Sequence, residues 1–395
     1  MQLFVINTGS SSIKYQLLDM PSGDWICQGL VERIGLDHSR IKHKERNVGG
    51  ADEQEITISI PDHAVGLAEV ARLLGEERRA SIQAVGHRVV HGGEAFSATT
   101  VITDAVKAKI RALSALAPLH NPPNLLGIEV AEQVFPAAVQ VAVFDTAFHQ
   151  TIPPHAFRYA IPESLYREEG IRAYGFHGTS HKFVSEEAAH FLDYPAAKLV
   201  TLHLGNGCSM AAVDSGVCVD TSMGFGPMNG LVMGTRSGDI DQSVLFHLLR
   251  EGRYTAESLN DLLQKQSGLL GMAGSSDMRD TRKAAASGNE QARVALDVYI
   301  YRIRKYIGAY VAVLGGLDAL VFTAGVGEHD SHTRAEVCAN LDYLGIRLDP
   351  IKNEAPTKGI RAIHQDDSTV AILVVPTNEE LEIARQTFTL VAQMG

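Results

Sequence analysis

The strongest constraint on this fold is a repeat. Residues 3–19 and 199–214 follow one plan: an apolar strand, a short glycine-bearing turn, then a second strand. The first turn is Gly9-Ser10-Ser11-Ser12 and the second is Gly205-Asn206-Gly207. Glycine allows the backbone to turn tightly or to pass close to a ligand. The N–H groups such a turn exposes form a concavity suited to phosphate. One such hairpin reads as an ordinary β-hairpin. Two, each opening one half of the chain, predict a duplicated domain with a phosphorylated ligand in the cleft between the copies.

The chain has 395 residues, more than one compact core accommodates, so two domains are expected. Apolar and amphipathic segments alternate in a mixed α/β pattern. Strands are predicted at 82–90, 139–144, 319–323 and 370–375. Helices are predicted at 104–116, 125–134, 180–191, 242–250, 256–266, 290–314 and 379–391. A glycine turn is predicted at 325–327, after the third of those strands. The break falls near 150–154, at Pro153-Pro154. It separates an N-terminal domain of 1–149 plus 381–395 from a nucleotide-binding domain of 150–380.

Composition serves mainly to exclude. A net charge of −11 argues against nucleic-acid binding, which needs a basic face. The four cysteines show no Cys-x-x-Cys pairing, so neither a disulfide framework nor a zinc site is implied. The longest apolar stretch, 307–327, is broken by Gly315, Gly316 and Asp318, so no membrane span is expected. The chain opens directly in a strand, which suggests a cytoplasmic protein. P-loop, dinucleotide and protein-kinase signatures are absent. The pairs His87/His91 and His177/His181 are spaced for a metal on a helix, but neither carries the zincin glutamate.

Four clusters stand out. Arg88 lies at a strand end inside a glycine bracket, and Asp145 follows a strand directly, where open α/β sheets keep ligand groups. His177 precedes a helix, and Arg236 sits in the most glycine-dense loop of the chain, 224–241. Any one arginine or histidine reads first as a surface ion pair or a satisfied core residue. That reading weakens for Arg236, because a solvated loop does not need so many glycines around one cation.

Together these clusters resemble the acetate kinase (acetokinase) family, from Asn7-Thr8-Gly9-Ser10-Ser11-Ser12-Ile13-Lys14 to Thr377-Asn378-Glu379-Glu380. The block 220–241 and His120-Asn121-Pro122-Pro123-Asn124 are the most specific segments. Cys208, Gln242 and His329 depart from the family pattern; His329 stands where asparagine is commoner. The resemblance implies the duplicated two-domain fold of actin, hexokinase and the heat-shock chaperone ATPases, an α/β ribonuclease H-like architecture with an interdomain nucleotide cleft. It implies reversible, direct in-line transfer of the ATP γ-phosphoryl group to acetate, giving acetyl phosphate and ADP.

The residue roles that follow are those the resemblance implies. Arg88 clamps the acetate carboxylate. Arg236 and His177 stabilise the transferring phosphoryl group, and Lys14 contacts ATP phosphate. Asp145 occupies the family's acid/base position; since acetate has no proton to lose, orienting Arg88 or a metal-bound water serves equally well. Mg²⁺, with Mn²⁺ as a substitute, meets Asn7 and Glu379. The nucleotide loops are His203, Leu204, Gly205, Asn206 and Gly207; Asp277, Met278 and Arg279; and Gly325, Val326, Gly327, Glu328 and His329. Asp277 also reads as a helix N-cap, and both readings can hold. Val90, Leu119, Phe176 and Pro227 form the acyl pocket, with plain core packing as the alternative. A homodimer is implied. The rivals are a propionate kinase of the same family, a chaperone- or actin-like ATPase, and a sugar kinase.

Overall fold

A computed structural model describes residues 1–47 and 49–394. It contains two compact units, Met1–Phe148 with Asn378–Gly395, and His149–Thr377.

The first unit is built on eight strands. β1 (Gln2–Thr8), β2 (Ser12–Asp19), β3 (Asp24–Glu32), β4 (Ser39–Asn47) and β5 (Gly50–Ile58) form an antiparallel meander. β6 (Ile82–Val89), β7 (Thr100–Val101) and β8 (Val139–Phe144) complete the order β5-β4-β3-β2-β1-β6-β8-β7, with β6 parallel to both β1 and β8. Four consecutive residues of β1, Leu3 to Ile6, are at most 1% exposed. That continuous burial requires cover on both sheet faces. On one face Phe4, Ile6, Ile13 and Tyr15 pack with Leu67, Val70 and Leu74 of helix His63–Ser81 and with Val130 and Ala131 of helix Asn121–Val134. On the other, Leu3, Val5, Ala84 and Val143 meet Ile383 and Ala384 of the C-terminal helix Glu379–Ala392.

The second unit repeats this plan. β9 (Lys198–Leu204), β10 (Cys208–Asp214) and β11 (Val217–Thr221) form the meander, and β12 (Ala319–Thr323), β13 (Arg361–Ala362) and β14 (Ala371–Val374) extend it. The order is β11-β10-β9-β12-β14-β13, with β12 parallel to β9 and β14. Helix Glu290–Leu314 covers one side. Its buried residues recur every three or four positions, among them Leu296, Tyr299, Ile303, Ile307 and Tyr310. Asn289 caps its start, accepting from Ala292 N, and Gly315 ends it in a left-handed conformation.

Three sequence expectations need correction. The glycine turn at 325–327 is instead a short helix, Ala324–His329. Helix 104–116 stops at Ala112 and tightens into a 3₁₀ turn, Leu113–Ala115. Helix 125–134 starts earlier, at Asn121, because Pro122 and Pro123 fall in the first turn, where no intrahelical N–H is needed. No helix among the described residues is long and apolar enough to cross a membrane.

Candidate active site

The acceptor-side candidates gather at the carboxyl ends of β1, β6 and β8. Arg88 projects from β6 toward Asp145, the residue after β8. Its Nε donates to Asp145 Oδ2 at 3.0 Å and Oδ1 at 3.2 Å, and its Nη2 to Oδ2 at 2.5 Å. Nη1 lies 3.5 Å from Asn7 Oδ1, at the end of β1. Glu379, the first residue of the C-terminal helix, brings Oε2 within 3.8 Å of Arg88 Nε. Burial works against the Arg88 charge, but Asp145 and Glu379 outweigh it and hold its pKa above the ordinary value. Burial raises the Glu379 pKa, with Arg88 pulling down and Asp145 pushing up. Lys14 is tied to Glu380 at 2.5 Å.

This corner is held by side chains that carry no reacting group. Asn124 accepts from Val90 N at 3.0 Å and donates to Thr8 O at 2.8 Å, joining the ends of β6 and β1. Asn121 does the same for His91, accepting from its N–H and donating to its carbonyl. The helix can approach this closely because a Cβ on Gly127 would overlap Thr8 Oγ1. The sequence marks 120–124 as distinctive; the carboxamide clamps are the physical reason.

Asn7 and Glu379 offer only hard oxygen donors, and three carboxylates (Asp145, Glu379, Glu380) face two cations (Arg88, Lys14). Oxygen donors and surplus negative charge fit Mg²⁺. Among the described residues, no group of three or more His, Cys, Asp or Glu side chains is arranged to hold a metal. The fit is therefore to an ion that keeps waters and phosphate oxygens as its other ligands.

In the second unit, His177 occupies the N-cap of helix Gly178–Phe191 with φ 56°, a left-handed backbone rare outside glycine. Its ring stacks on His203 at 4.3 Å, and its Nδ1 lies 2.8 Å from Ser209 Oγ. His203 in turn meets Ser180 Oγ at 2.8 Å. Arg236 donates to the Pro227 carbonyl at 2.9 Å, and burial lowers its pKa. The loop around it folds back on itself. Gly230, at φ 94°, leaves no room for a Cβ against the Ser222 carbonyl.

A cavity of about 620 Å³ lies beside these groups, lined by Gly205, Asn206, Asp277, Met278, Arg279, Gly325, Val326 and His329. Members of the three predicted nucleotide loops thus line one space. Asp277 also caps helix Met278–Ala286, accepting from Arg279 N at 2.8 Å. Arg282, Tyr299 and Asp330 line the cavity too, and nothing local in the sequence marks them. Arg334 is another residue that sequence reasoning misses. It is 2% exposed and donates to the Gly327 and Glu328 carbonyls and to Asn353, pinning the Ala324–His329 helix. Of the acyl-pocket candidates, Val90 is buried and Leu119 is 52% exposed in the first unit; Phe176 and Pro227 belong to the second.

A sequence model of the acetokinase family matches residues 2–385. The acetate kinase of Flavobacterium johnsoniae is 54% identical over 396 residues, covering 99% of each chain. The crystal structure of Porphyromonas gingivalis acetate kinase superposes with a TM-score of 0.92 at 43% identity, covering 99% of each chain. A propionate kinase structure from Francisella tularensis also gives 0.92, at 40% identity, covering 98% of this chain and 99% of the other.

Proposed function

This chain belongs to the acetokinase family, and we propose how its residues divide the work of that family's reaction. The chain transfers the γ-phosphoryl group of ATP to acetate, reversibly, as a phosphotransferase with a carboxyl acceptor. Propionate is the alternative acceptor and the less favoured one. The observation that carries the residue roles is the Arg88–Asp145 pair.

Acetate is ionised at neutral pH, so no base is needed to create the nucleophile. The obstacle is electrostatic: an anion must approach a polyanion. Catalysis is then alignment and charge neutralisation. Asp145 engages Nε and Nη2 of Arg88, which favours an orienting role and leaves the Nη1 edge to receive the acetate carboxylate. Arg236 and His177 donate to the oxygens of the transferring group, and Lys14 to ATP phosphate. His203, Leu204, Gly205, Asn206, Gly207, Asp277, Met278, Arg279, Gly325, Val326, Gly327, Glu328 and His329 hold the nucleotide. Asn7 and Glu379 hold Mg²⁺, which supplies charge neutralisation at the phosphate oxygens. Val90, Leu119, Phe176 and Pro227 bound the acyl group.

A homodimer is supported by helix Gln242–Arg250, which buries none of its residues in its own chain. Phe246 is 61% exposed there, and Leu249, three residues on and so on the same side of the helix, is 36% exposed; exposed apolar side chains grouped in this way mark interfaces. Four buried cysteines without a disulfide support a reducing, cytoplasmic setting.

Trapping with hydroxylamine tests the substrate class. With Mg-ATP, acetate should give abundant acyl hydroxamate, propionate less and butyrate almost none, while glucose should give no glucose phosphate. Sugar phosphorylation, or ATP hydrolysis without acyl phosphate, would refute the reading.

A further inference from the structure

We infer that Ser209, His181 and Thr201 form a buried relay that fixes the ring proton of His177 on Nδ1. The inference takes from the proposed function only the role of His177 at the phosphoryl group.

The direction follows from the far end. Thr201 Oγ1 has one proton and two neighbours. The Ala211 carbonyl, at 3.4 Å, can only accept, and besides His181 it is the acceptor nearest the Thr201 hydroxyl. We assign the hydroxyl proton to that side, so that the Thr201 oxygen accepts from His181 Nδ1 at 2.7 Å. His181 is fully buried, and burial together with the His149 and His203 rings pushes its pKa well below the usual value. It carries one ring proton, and that proton is on Nδ1. Its Nε2 then accepts from Ser209 Oγ at 2.7 Å. With its proton committed, Ser209 Oγ accepts from His177 Nδ1 at 2.8 Å. Ser209, His181 and Thr201 are all 0% exposed, which leaves little room for water to reverse a link.

The chemical consequence is specific. In the neutral ring, His177 Nε2 is an acceptor; it becomes a donor only when the ring takes a second proton. A phosphoryl group gathering negative charge calls for a donor, so the relay commits His177 to act as imidazolium. The groups facing it within its unit are Ser209, the stacked His203 on β9, His181 on its own helix, with His149 behind His181, and Arg236, which shares the Gly207 neighbourhood. Ser209, His181 and Thr201 are thus positioning residues. They act through His177.

Nitrogen NMR of ¹⁵N-histidine-labelled protein, with the His177 signals identified by their loss in His177→Asn, reads the tautomer without a kinetic assay. With the ring neutral, the relay predicts a protonated Nδ1 and an unprotonated Nε2. The opposite assignment, or an even mixture, overturns it. Thr201→Val is nearly isosteric and removes the anchor three hydrogen bonds from His177. It should abolish the Nδ1 preference and lower kcat at least roughly tenfold, between the 10–100-fold of losing a ligand histidine's outer partner and the ~10⁴-fold of a direct tautomer change, with KM for ATP and acetate changed by less than about threefold. An unchanged tautomer in that variant, or a changed tautomer with unchanged kcat, contradicts the proposal. If Thr201→Val does not fold, the wild-type spectrum decides alone. Failure of wild-type protein to form acyl phosphate would remove the functional reading and leave the tautomer measurement standing.

Discussion

Asp145 engages Arg88 along one edge, through Nε at 3.0 Å and Nη2 at 2.5 Å. The Asp145 side chain is 1% exposed and that of Arg88 20%, so the anion is the more deeply buried partner. Such a pair is a device for aiming a cation more than a source of stability, because desolvation offsets much of the Coulomb gain. Asp145→Asn should therefore raise the acetate KM and lower kcat while leaving the ATP KM within about twofold. Arg88→Lys should not restore acetate binding, since an ammonium cannot present two parallel donors. Steady-state kinetics with each substrate varied in turn checks both. A normal acetate KM in Asp145→Asn would show that Arg88 needs no aiming.

Arg236 is half-buried in a loop whose glycines bring backbone close around it. Arg236→Ala should lower kcat by about two to four decades, the range for losing one preorganised donor, with a smaller effect on the acetate KM. Near-wild-type turnover would remove Arg236 from the chemistry.

Val90 is 8% exposed, and its N–H is fixed by Asn124 at 3.0 Å. If it bounds the acyl group, Val90→Ala should shift kcat/KM toward propionate, within the roughly 10–200-fold that a methylene can change. Simple core packing predicts a lower Tm and an unchanged ratio. Measuring both on one variant separates the two.

The exposed apolar face of helix Gln242–Arg250 gives a prediction about assembly. If this helix joins two copies, wild-type protein should sediment as a dimer and Phe246→Glu as a monomer, with far-UV circular dichroism unchanged. A monomeric wild type would refute the dimer, and a variant that remains dimeric would place the interface elsewhere.

His87 is fully buried against Gln140 at 2.8 Å, and burial takes its pKa down to about 4; burial does the same for His91. Both are neutral in the folded state and gain protons on unfolding below about pH 6.5. The unfolded chain binds more protons between pH 6.5 and 4, so stability falls as pH drops through that window. At most about 3 kcal/mol is lost per histidine, from 1.36 kcal/mol per pKa unit. Chemical denaturation across that range should show the decline, and His87→Gln should remove about half of it, leaving the His91 share. A pH-independent midpoint would mean that neither histidine is held neutral.

The fold was legible where one physical signal dominated. β12 and helix Glu290–Leu314 stand in the sequence as a continuous apolar run and a sustained helical stripe. The glycine turns betrayed the duplicated hairpins. β5 was not legible, because Gly-Ala-Asp-Glu-Gln-Glu-Ile-Thr-Ile is exposed along most of its length and carries no apolar alternation; β4 does alternate in burial, but its inward positions are Ser39, Ile41 and His43, only one of them apolar. The short helix at Ala324–His329 reads as a turn in the sequence because its two glycines disfavour helix; Gly327 packs against Phe322 of β12 and Leu202 of β9, which local propensity does not reveal. Candidate site residues in glycine-rich loops advertised themselves. Ser209 and Arg334 did not: each matters through partners between 6 and 32 residues away in sequence, and only the folded chain brings those together.

In this mechanism acetate attacks phosphorus directly, with no covalent phosphoenzyme. The stereochemistry at a chiral, isotopically labelled γ-phosphoryl group measures this with the fewest assumptions. One in-line displacement inverts the configuration, so acetyl phosphate formed from chiral ATP should be inverted. Retention would require two displacements through a phosphorylated side chain, and would contradict a mechanism of alignment and charge neutralisation alone.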